Sequence, residues 1–178
     1  MGVIGHLPLA RALDHPELLS EPVRSALARI EEAGEVGVAE IDPELADTAA
    51  FCDRYGIRAD DSANCVVVAA RREGATRLAA CVVLATTRAD VNGLVRRRLG
   101  ARKVSFAPVE DAISETGMEH GGITPIGLPS EWPILIDASV AGHPRVVVGS
   151  GLRRSKLVLP GRLLSSLPAA EVIEHLGR

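Results

Sequence analysis

The chain has 178 residues and a mass of 18.7 kDa, and 47% of the residues are hydrophobic. Its formal net charge is −3, so the composition is that of a folded protein rather than of a disordered chain. This length favours one domain with a sizeable core. No apolar run approaches the roughly 20 residues that span a bilayer, and the N-terminus does not resemble a signal peptide. The sequence therefore predicts a soluble, cytoplasmic protein without a membrane partner.

The three cysteines, Cys52, Cys65 and Cys81, form an odd set without metal-ligand spacing. Reduced thiols in the cytoplasm are the expectation for such a set. Cys65 and Cys81 lie within apolar runs, where buried structural thiols are far commoner than nucleophiles. With no Cys-x-x-Cys or His-rich cluster, the sequence predicts neither a metal site nor a cofactor.

The first half of the chain predicts two helices, with a short strand between them. The residues from Asp14 to Glu17 have the pattern of a helix start, and apolar residues at helical spacing continue to an exit at Gly34. A strand is predicted over 36–41. Asp42 and Pro43 then predict the start of a second helix, which Gly56 ends.

Two apolar strands are predicted next, over 66–70 and 78–85, joined as a hairpin by 71–75. Because both runs are continuously apolar, we expect their sheet to be covered on both faces. A helix over 87–99, a strand over 104–106 and a helix over 108–116 follow. Further strands are predicted over 134–137, 145–148 and 156–159, and one or two short helices end the chain.

This order mixes hairpins with crossover helices, which predicts an α+β fold with a mixed sheet covered by helices. We expect a single domain over 1–178. Residues from about 1 to 50 would form a helical and strand extension packed on it.

A loop from Gly117 to Gly127 is the most informative stretch of the chain, with glycine at 117, 121, 122 and 127. Such glycines are typical of positive φ or of close backbone approach. Pro125 fixes its own φ and biases Thr124 towards extended geometry, so the loop ends in a stiff segment. A rigid, bare backbone of this kind can aim amide N–H groups at a carbonyl or a small anion. A purely structural turn is the alternative.

The pattern Gly-x-x-x-Gly-Gly-Ile-Thr-Pro-Ile-Gly resembles the signature loop of the YbaK/prolyl-tRNA editing-domain family. The resemblance extends from about Tyr55 to about Pro160, an editing-domain-like core. Within it the strands over 64–69, 78–85 and 134–137 and the turn over 148–151 follow in the family's order. It implies the family's fold and its activity, which is hydrolysis of mischarged aminoacyl-tRNA. The partner implied is the acceptor end of a tRNA that carries the wrong amino acid.

The resemblance also implies where a site would form. We predict a catalytic set of Gly121, Gly122 and Asn64. Residues expected to bind substrate surround it: Gly117, His120, Thr124, Pro125, Asp137, Gly149, Ser150 and Gly151. Asn64, the glycine loop, Asp137 and Gly151 should then converge on one cleft. For His120, Asp137 and Ser150 the alternatives are a solvated loop side chain, a solvated strand end and a plain tight turn.

One position departs from the family. Its editing enzymes usually have a lysine where this chain has Asn64, a neutral donor of shorter reach. A charged hydrogen bond contributes roughly 1.5–3 kcal/mol and a neutral one about 0.5–1.5 kcal/mol, so the change would weaken a phosphate or ribose contact about tenfold. Alternatively, Asn64 only caps the strand entry. Lys103 and Lys156 are the only lysines, and the sequence identifies neither as a replacement.

Arginines cluster over 96–98 with Arg102, and at Arg153 and Arg154 with Lys156. They form either solvated faces or contacts to tRNA phosphates. Trp132 would either pack on the terminal adenine or cover the core. The sequence thus predicts a trans-acting deacylase. Its rival is a non-catalytic protein that keeps the pocket for an aminoacyl-adenosine or another amino-acid derivative. The amino acid, the tRNA and the oligomeric state stay open.

Overall fold

The computed structural model describes residues 2–178 and contains eleven strands in three groups. A small hairpin joins β1 (Val3–Ile4) to β2 (Leu7–Pro8). A four-stranded antiparallel sheet has the order β3 (Ala10–Arg11), β4 (Gly37–Glu40), β10 (Ser155–Leu159), β9 (Val146–Gly149). A five-stranded sheet has the order β11 (Ala170–Ile173), β8 (Ile134–Asp137), β6 (Ala75–Leu84), β5 (Ala63–Arg72), β7 (Lys103–Phe106).

The helices are short and pack on the sheets. They are α1 (Glu21–Leu27), α2 (Thr48–Tyr55), α3 (Arg96–Arg98), α4 (Val109–Thr116), α5 (Ala138–Ala141) and α6 (Gly161–Ser165). In the larger sheet β5 pairs antiparallel with β6 and β7, while β8 pairs parallel with both β6 and β11. The predicted α+β fold with a mixed sheet is therefore confirmed. The described part of the chain has no helix long and apolar enough to cross a membrane.

The predicted hairpin is present, and its strands are longer than predicted. Ten residues of β5 pair with ten of β6 up to the pair Arg72–Ala75, which leaves a two-residue turn. Glu73 and Gly74 in that turn have φ values of 51° and 82°. Positive φ at both central residues gives the turn the twist that matches paired strands.

The larger sheet is packed on both faces, as its continuously apolar strands predicted. One cluster holds Ala80 and Val82 of β6 with residues of α1, β8 and β10. The other holds Cys81 and Val83 of the same strand with Val95 and Leu99. Because successive residues of a strand face opposite sides, β6 supplies both layers of the core.

Both predicted helix starts in the first half were wrong. The residues Pro16–Leu18 form only a 3₁₀ turn, after which Leu19 is extended and α1 begins at Glu21. Asp42 likewise caps a separate 3₁₀ turn, Pro43–Leu45. The cap of α2 is Asp47, whose carboxylate accepts from the amides of Ala49 and Ala50. The predicted end was right, because Gly56 adopts φ 64° at the C-terminus of α2.

Two elements in the second half also differ from prediction. The predicted helix over 87–99 starts at an Asp90 cap and winds as a π-helix, Val91–Val95, before the short α3. The last strand, β11, was missed because the sequence predicted only helices after 159. Its register on β8, with Ala170 opposite Ile134, provides the tertiary pairing that an isolated segment lacks.

The two sheets meet at the start of β5. Ser62 forms a bridge to Val147 of β9, so the first residues of β5 lie against the end of the smaller sheet. The loop that follows α4 approaches the same place, because Gly122 accepts a hydrogen bond from the Gly151 amide just after β9. Strand ends and loops from both sheets therefore form one junction.

Candidate functional site

A cleft of about 400 Å³ lies at this junction. Its walls come from the segment 46–48, the start of β5, the glycine loop and the strands β9 and β10. Of the predicted site residues, four line it: Asn64, His120, Gly121 and Gly149. The structure thus brings Asn64 and part of the glycine loop together, as the sequence predicted.

Asn64 is half-buried in the wall of this cleft, next to Thr48 at the start of α2. Its Oδ1 atom accepts a hydrogen bond from the Thr48 hydroxyl at 2.7 Å. The contact fixes the orientation of the amide, because the oxygen faces Thr48 and the NH₂ group therefore faces away from it. Asn64 therefore keeps two donor hydrogens for a ligand.

Gly121 and Gly122 have different surroundings although they are adjacent. Gly121 is exposed, lines the cleft, and has φ 85°. Its amide has no acceptor among residues 2–178. Gly122 is buried, and its amide already donates to the Glu119 carbonyl at 2.9 Å. Of the two, Gly121 has the amide that remains available to a bound carbonyl.

Glycine at 122 and 149 allows two backbone segments to touch. A Cβ on Gly122 would lie 2.6 Å from the backbone carbon of Leu152, and one on Gly149 would lie 2.2 Å from the Gly122 oxygen. A third glycine, Gly151, has φ 82° and donates to that oxygen at 2.7 Å. These glycines anchor the loop on the β9–β10 turn, and only Gly149 of the turn reaches the cleft.

Lys156 in β10 belongs to the site, although the sequence did not identify it as a replacement for the family's lysine. It lines the cleft with only 7% of its surface exposed. Its Nζ donates to the Ala46 carbonyl at 3.0 Å and to the Gly121 carbonyl at 3.5 Å, and lies 5.3 Å from the centre of the Phe51 ring. A buried cation that touches the glycine loop is therefore part of the site.

Arg153, in the turn between β9 and β10, forms the same kind of contacts as Lys156. Its guanidinium donates to the His120 carbonyl at 3.0 Å and to the Pro43 carbonyl at 2.9 Å. Each of the two cations thus joins the glycine loop to the segment 43–46. We call this pair, Lys156 and Arg153, the cationic clamp.

The electrostatic state of Lys156 follows from its burial. Loss of hydration lowers its pKa to about 8, with a further lowering from Arg153, against the opposing effect of Cys52 and Asp47. Asp47 is the one acidic residue among the cleft's lining. The cleft therefore holds an ammonium that is charged at neutral pH and titrates near the physiological range.

Asp137, predicted to bind substrate, lies outside the cleft at the end of β8. Its carboxylate caps α5 by accepting from the Ser139 amide at 2.8 Å and from the Ser139 hydroxyl, and it accepts from the Gly177 amide at 2.7 Å. Burial works to raise the pKa of Asp137, yet these hydrogen bonds, led by that from Gly177, hold it below its ordinary value. Its contacts are those of a structural cap.

The remaining predicted residues also lie outside the lining. Ser150 is fully buried, and its hydroxyl bonds with that of Ser155 at 2.7 Å. Gly117 ends α4 with φ 64°, and Thr124 is fully buried. Trp132 is 4% exposed in a cluster with Val67 and Ala112, which is the core-covering alternative.

A second cavity, of about 640 Å³, lies on the other side of the glycine loop between α1 and α6. Pro125 and Gly127 line it, and its polar lining consists of three serines and three charged residues: Ser25, Ser130, Ser166, Arg29, Glu31 and Glu32. It is larger than the cleft, but it contains no lysine and no buried cation. The loop therefore divides two cavities, and only its His120–Gly121 side faces the clamp. Residues 2–178 contain no group of His, Cys, Asp and Glu side chains placed to hold a metal.

Comparison with known proteins bears on the same residues. A family model for the aminoacyl-tRNA editing domain matches residues 42–167, which include the glycine loop and every residue of the cleft's lining. The chain belongs to the aminoacyl-tRNA editing-domain family. The resemblance in the glycine loop is thereby confirmed at the level of the family. No curated protein matches this sequence.

Solved structures share the editing-domain fold at low identity. A proposed trans-editing enzyme for prolyl-tRNA synthetase is 22% identical, with a TM-score of 0.72 over 86% of this chain and 93% of its own. A scaffold used for computational epitope grafting is 21% identical, with a TM-score of 0.73 over 87% and 95%. The hypothetical protein APE2540 is 19% identical, with a TM-score of 0.69 over 79% and 90%.

The sequence did contain a signal for Lys156. The strand that holds it continues Leu157-Val158-Leu159 and is buried throughout. A lysine inside so apolar a run is expected to be buried with a specific partner, since lysine is almost never buried without one. Arg153 gave no such signal, because its carbonyl partners, at residues 43 and 120, are far from it in sequence.

Proposed function

We propose that this member of the editing-domain family is a trans-acting deacylase of the cytoplasm, which hydrolyses the ester between a wrong amino acid and the 3′ end of a tRNA. The observation that supports the proposal is the convergence of Lys156, Asn64 and the Gly121 amide on one cleft within the matched region. These groups supply positive charge and neutral donors where an ester would need them.

The geometry suggests a role for each group. A water oxygen adds to the ester carbonyl carbon, and negative charge develops on the carbonyl oxygen. The Gly121 amide and the Lys156 ammonium stabilise that oxyanion, because both are held in place before the reaction. The tetrahedral intermediate then breaks its bond to the ribose oxygen, which leaves with a proton that came from water. The products are a free amino acid and an intact tRNA.

Lys156 also supports the proposal where Asn64 weakens it. Asn64 brings no charge to the cleft, but Lys156 lines the same cleft and is charged below a pKa of about 8. Two of its three protons are directed at backbone carbonyls, which leaves one for a substrate. In our proposal Lys156, from β10, supplies the positive charge that Asn64 does not.

The test is deacylation of a panel of mischarged tRNAs by the purified protein, followed as release of labelled amino acid under single-turnover conditions. We expect at least one ester to be hydrolysed faster than in buffer, and Lys156→Met to lose that rate. Ser166→Ala, in the second cavity, is the matched control and should keep it. Tight binding of aminoacyl-tRNA with no turnover of any ester would refute the enzyme and favour the non-catalytic rival.

A further inference from the structure

The positive charge of this protein is concentrated in one stretch of the sequence. Residues 71–103 contain nine arginine or lysine residues and two acidic ones, a formal charge of +7. Because the whole chain carries −3, the remaining residues carry −10. A negatively charged protein with one strongly basic segment presents a directional field to a charged partner.

The fold gathers part of this segment at the turn end of the β5–β6 hairpin. Arg71 lies directly opposite Lys103 of β7, and the Arg102 amide donates to the Arg71 carbonyl at 2.9 Å. All three side chains are exposed and line a shallow concavity of about 590 Å³. We call these residues, Arg71, Arg102 and Lys103, the basic surface.

The one acidic residue that lines the same concavity, Glu73, pairs with Arg72 and not with the basic surface. None of its three side chains forms an ion pair within residues 2–178, whereas Arg58, Arg98 and Arg162 each do. Arg71 and Lys103 are also a like-charged cross-strand pair, which destabilises a sheet when nothing lies between the charges. An anion bound over the pair would remove that cost.

The distance between the basic surface and the cleft indicates how long an anionic ligand must be to contact both. Arg71 lies seven residue steps beyond Asn64 along β5, about 23 Å at roughly 3.3 Å per step. A distance of this size corresponds to several base pairs of a nucleic-acid duplex. A small anion cannot reach both places, but a nucleic acid whose end enters the cleft can.

We propose that the basic surface binds the phosphate backbone of the tRNA acceptor stem while the aminoacylated end occupies the cleft. The inference rests on the proposed function for the identity of the RNA. Guanidinium and ammonium groups contact phosphates irrespective of base sequence, so the basic surface supplies affinity and orientation. The excess negative charge of the other residues repels the stem from competing orientations.

The experiment compares the parent with Arg71→Gln/Arg102→Gln/Lys103→Gln and with a matched control, Arg11→Gln/Arg24→Gln/Arg29→Gln. Both triple variants lose three exposed positive charges, and neither set lies in the cleft. Binding of deacylated tRNA is measured by fluorescence anisotropy from low to moderate salt. Hydrolysis is measured on a mischarged tRNA and on the corresponding aminoacyl-adenosine, which is too short to reach the basic surface. Thermal melts establish that each variant is folded.

We expect the basic-surface variant to bind tRNA at least tenfold more weakly at low salt. The slope of log K against log salt should fall by about two to three, since each lost phosphate contact removes roughly 0.7–0.9. Its hydrolysis of mischarged tRNA should drop in kcat/KM, while its hydrolysis of aminoacyl-adenosine should equal that of the parent. The control variant should bind and hydrolyse like the parent.

Parent-like tRNA binding by the basic-surface variant would overturn the inference. If, in addition, the variant has lost the parent's co-sedimentation with phosphatidylserine vesicles, the basic surface belongs to a lipid partner. Failure of the parent to hydrolyse any ester would refute the proposed function instead, and the binding comparison would still decide the role of the basic surface.

Discussion

The two ends of the β5–β6 hairpin use positive charge in opposite ways. At the cleft end, Lys156 and Arg153 are held by backbone carbonyls, and burial has lowered the pKa of Lys156 to about 8. At the turn end, Arg71 and Lys103 are exposed and have no ion-pair partner within residues 2–178. Burial has moved the pKa of Lys156 towards neutrality, so its charge responds to pH, whereas the exposed charges are screened by ions and their effect responds to salt. The comparison shows that the role of a cationic residue cannot be inferred from the number of cations in a region unless the burial of each is known.

The largest effect should follow from removing the buried charge. Lys156→Met keeps most of the length of the side chain but loses the ammonium, so kcat/KM on a hydrolysed ester should fall about 100-fold, the scale of one lost oxyanion donor. Lys156→Arg should recover part of the loss if charge is what matters. Single-turnover rates of folded variants are the measurement. Equal rates for the parent and the methionine variant would remove Lys156 from the chemistry.

Alanine substitutions of glycine should lower the free energy of unfolding more near the cleft than at the turn of the β5–β6 hairpin. A Cβ at Gly122 would lie 2.6 Å from the Leu152 backbone, which cannot move without shifting the β9–β10 turn. We expect Gly122→Ala to lower the free energy of unfolding by about 2–3 kcal/mol and to slow hydrolysis.

Gly74, at the hairpin turn, is the matched position, because its Cβ would meet nothing within 4 Å although φ is 82°. Gly74→Ala should cost only about 1 kcal/mol and leave hydrolysis unchanged. Urea unfolding and rate measurements on both variants test this. Equal losses of stability at the two positions would contradict the close packing of the glycine loop.

The pH dependence of Lys156 should have opposite signs for stability and for activity. Its pKa is about 8 in the folded protein and 10.5 as its ordinary value, so between these values the unfolded chain binds more protons. Stability relative to Lys156→Met should therefore rise with pH across this window, by up to about 1.4 kcal/mol per unit. Activity should fall above pH 8, because the ammonium is lost.

The difference in free energy of unfolding between the parent and Lys156→Met is the useful quantity, because cysteine thiols titrate in an overlapping pH range. Burial raises the pKa of Cys81 to about 12 and also raises that of Cys65, which gives stability an opposite slope above pH 9 in both proteins. That contribution cancels in the difference. Urea melts from pH 7 to 10 provide the data, and spontaneous ester hydrolysis is subtracted from each rate. A difference that is flat in pH would mean that Lys156 is not the titrating group.

The smallest effect is expected from a charge placed beside Lys156. Asn64→Asp preserves shape and adds a carboxylate to the cleft, which favours the ammonium and should move the alkaline limb of the rate profile upward by a few tenths of a pH unit. Asn92→Asp, on the exposed surface before α3, makes the same change of net charge far from the cleft and should leave the limb in place. Identical shifts in both variants would mean that net charge, and not the cleft, sets the titration.

Most of the framework was predictable because its signals are local. The hairpin, its two-sided burial and the αL residue at Gly56 depend on patterns within about ten residues. The helix starts were not, because Asp42 and Asp47 are both good caps and only packing selects between them. Likewise, β11 exists as a strand because β8 is there to pair with it.

The site was predictable only in part, for a similar reason. The resemblance identified Asn64 and the glycine loop, but the clamp depends on contacts between residues separated by 33 to 110 positions in sequence. Asp137 and Ser150 were predicted to bind substrate and do not line the cleft. Their residue types suit a binding pocket, yet local hydrogen bonds to Ser139 and Ser155 already occupy them.

The acceptors of the cationic clamp have a consequence for how this site can drift in evolution. Lys156 and Arg153 bond to main-chain oxygens of residues 43, 46, 120 and 121, and a main-chain oxygen survives any substitution. The exposed side chains at 43 and 120 are therefore free to diverge among descendants while the clamp persists, whereas Ala46 is constrained separately by its own burial. Mutational scanning should find broad tolerance at 43 and 120 beside near-complete intolerance at 153 and 156.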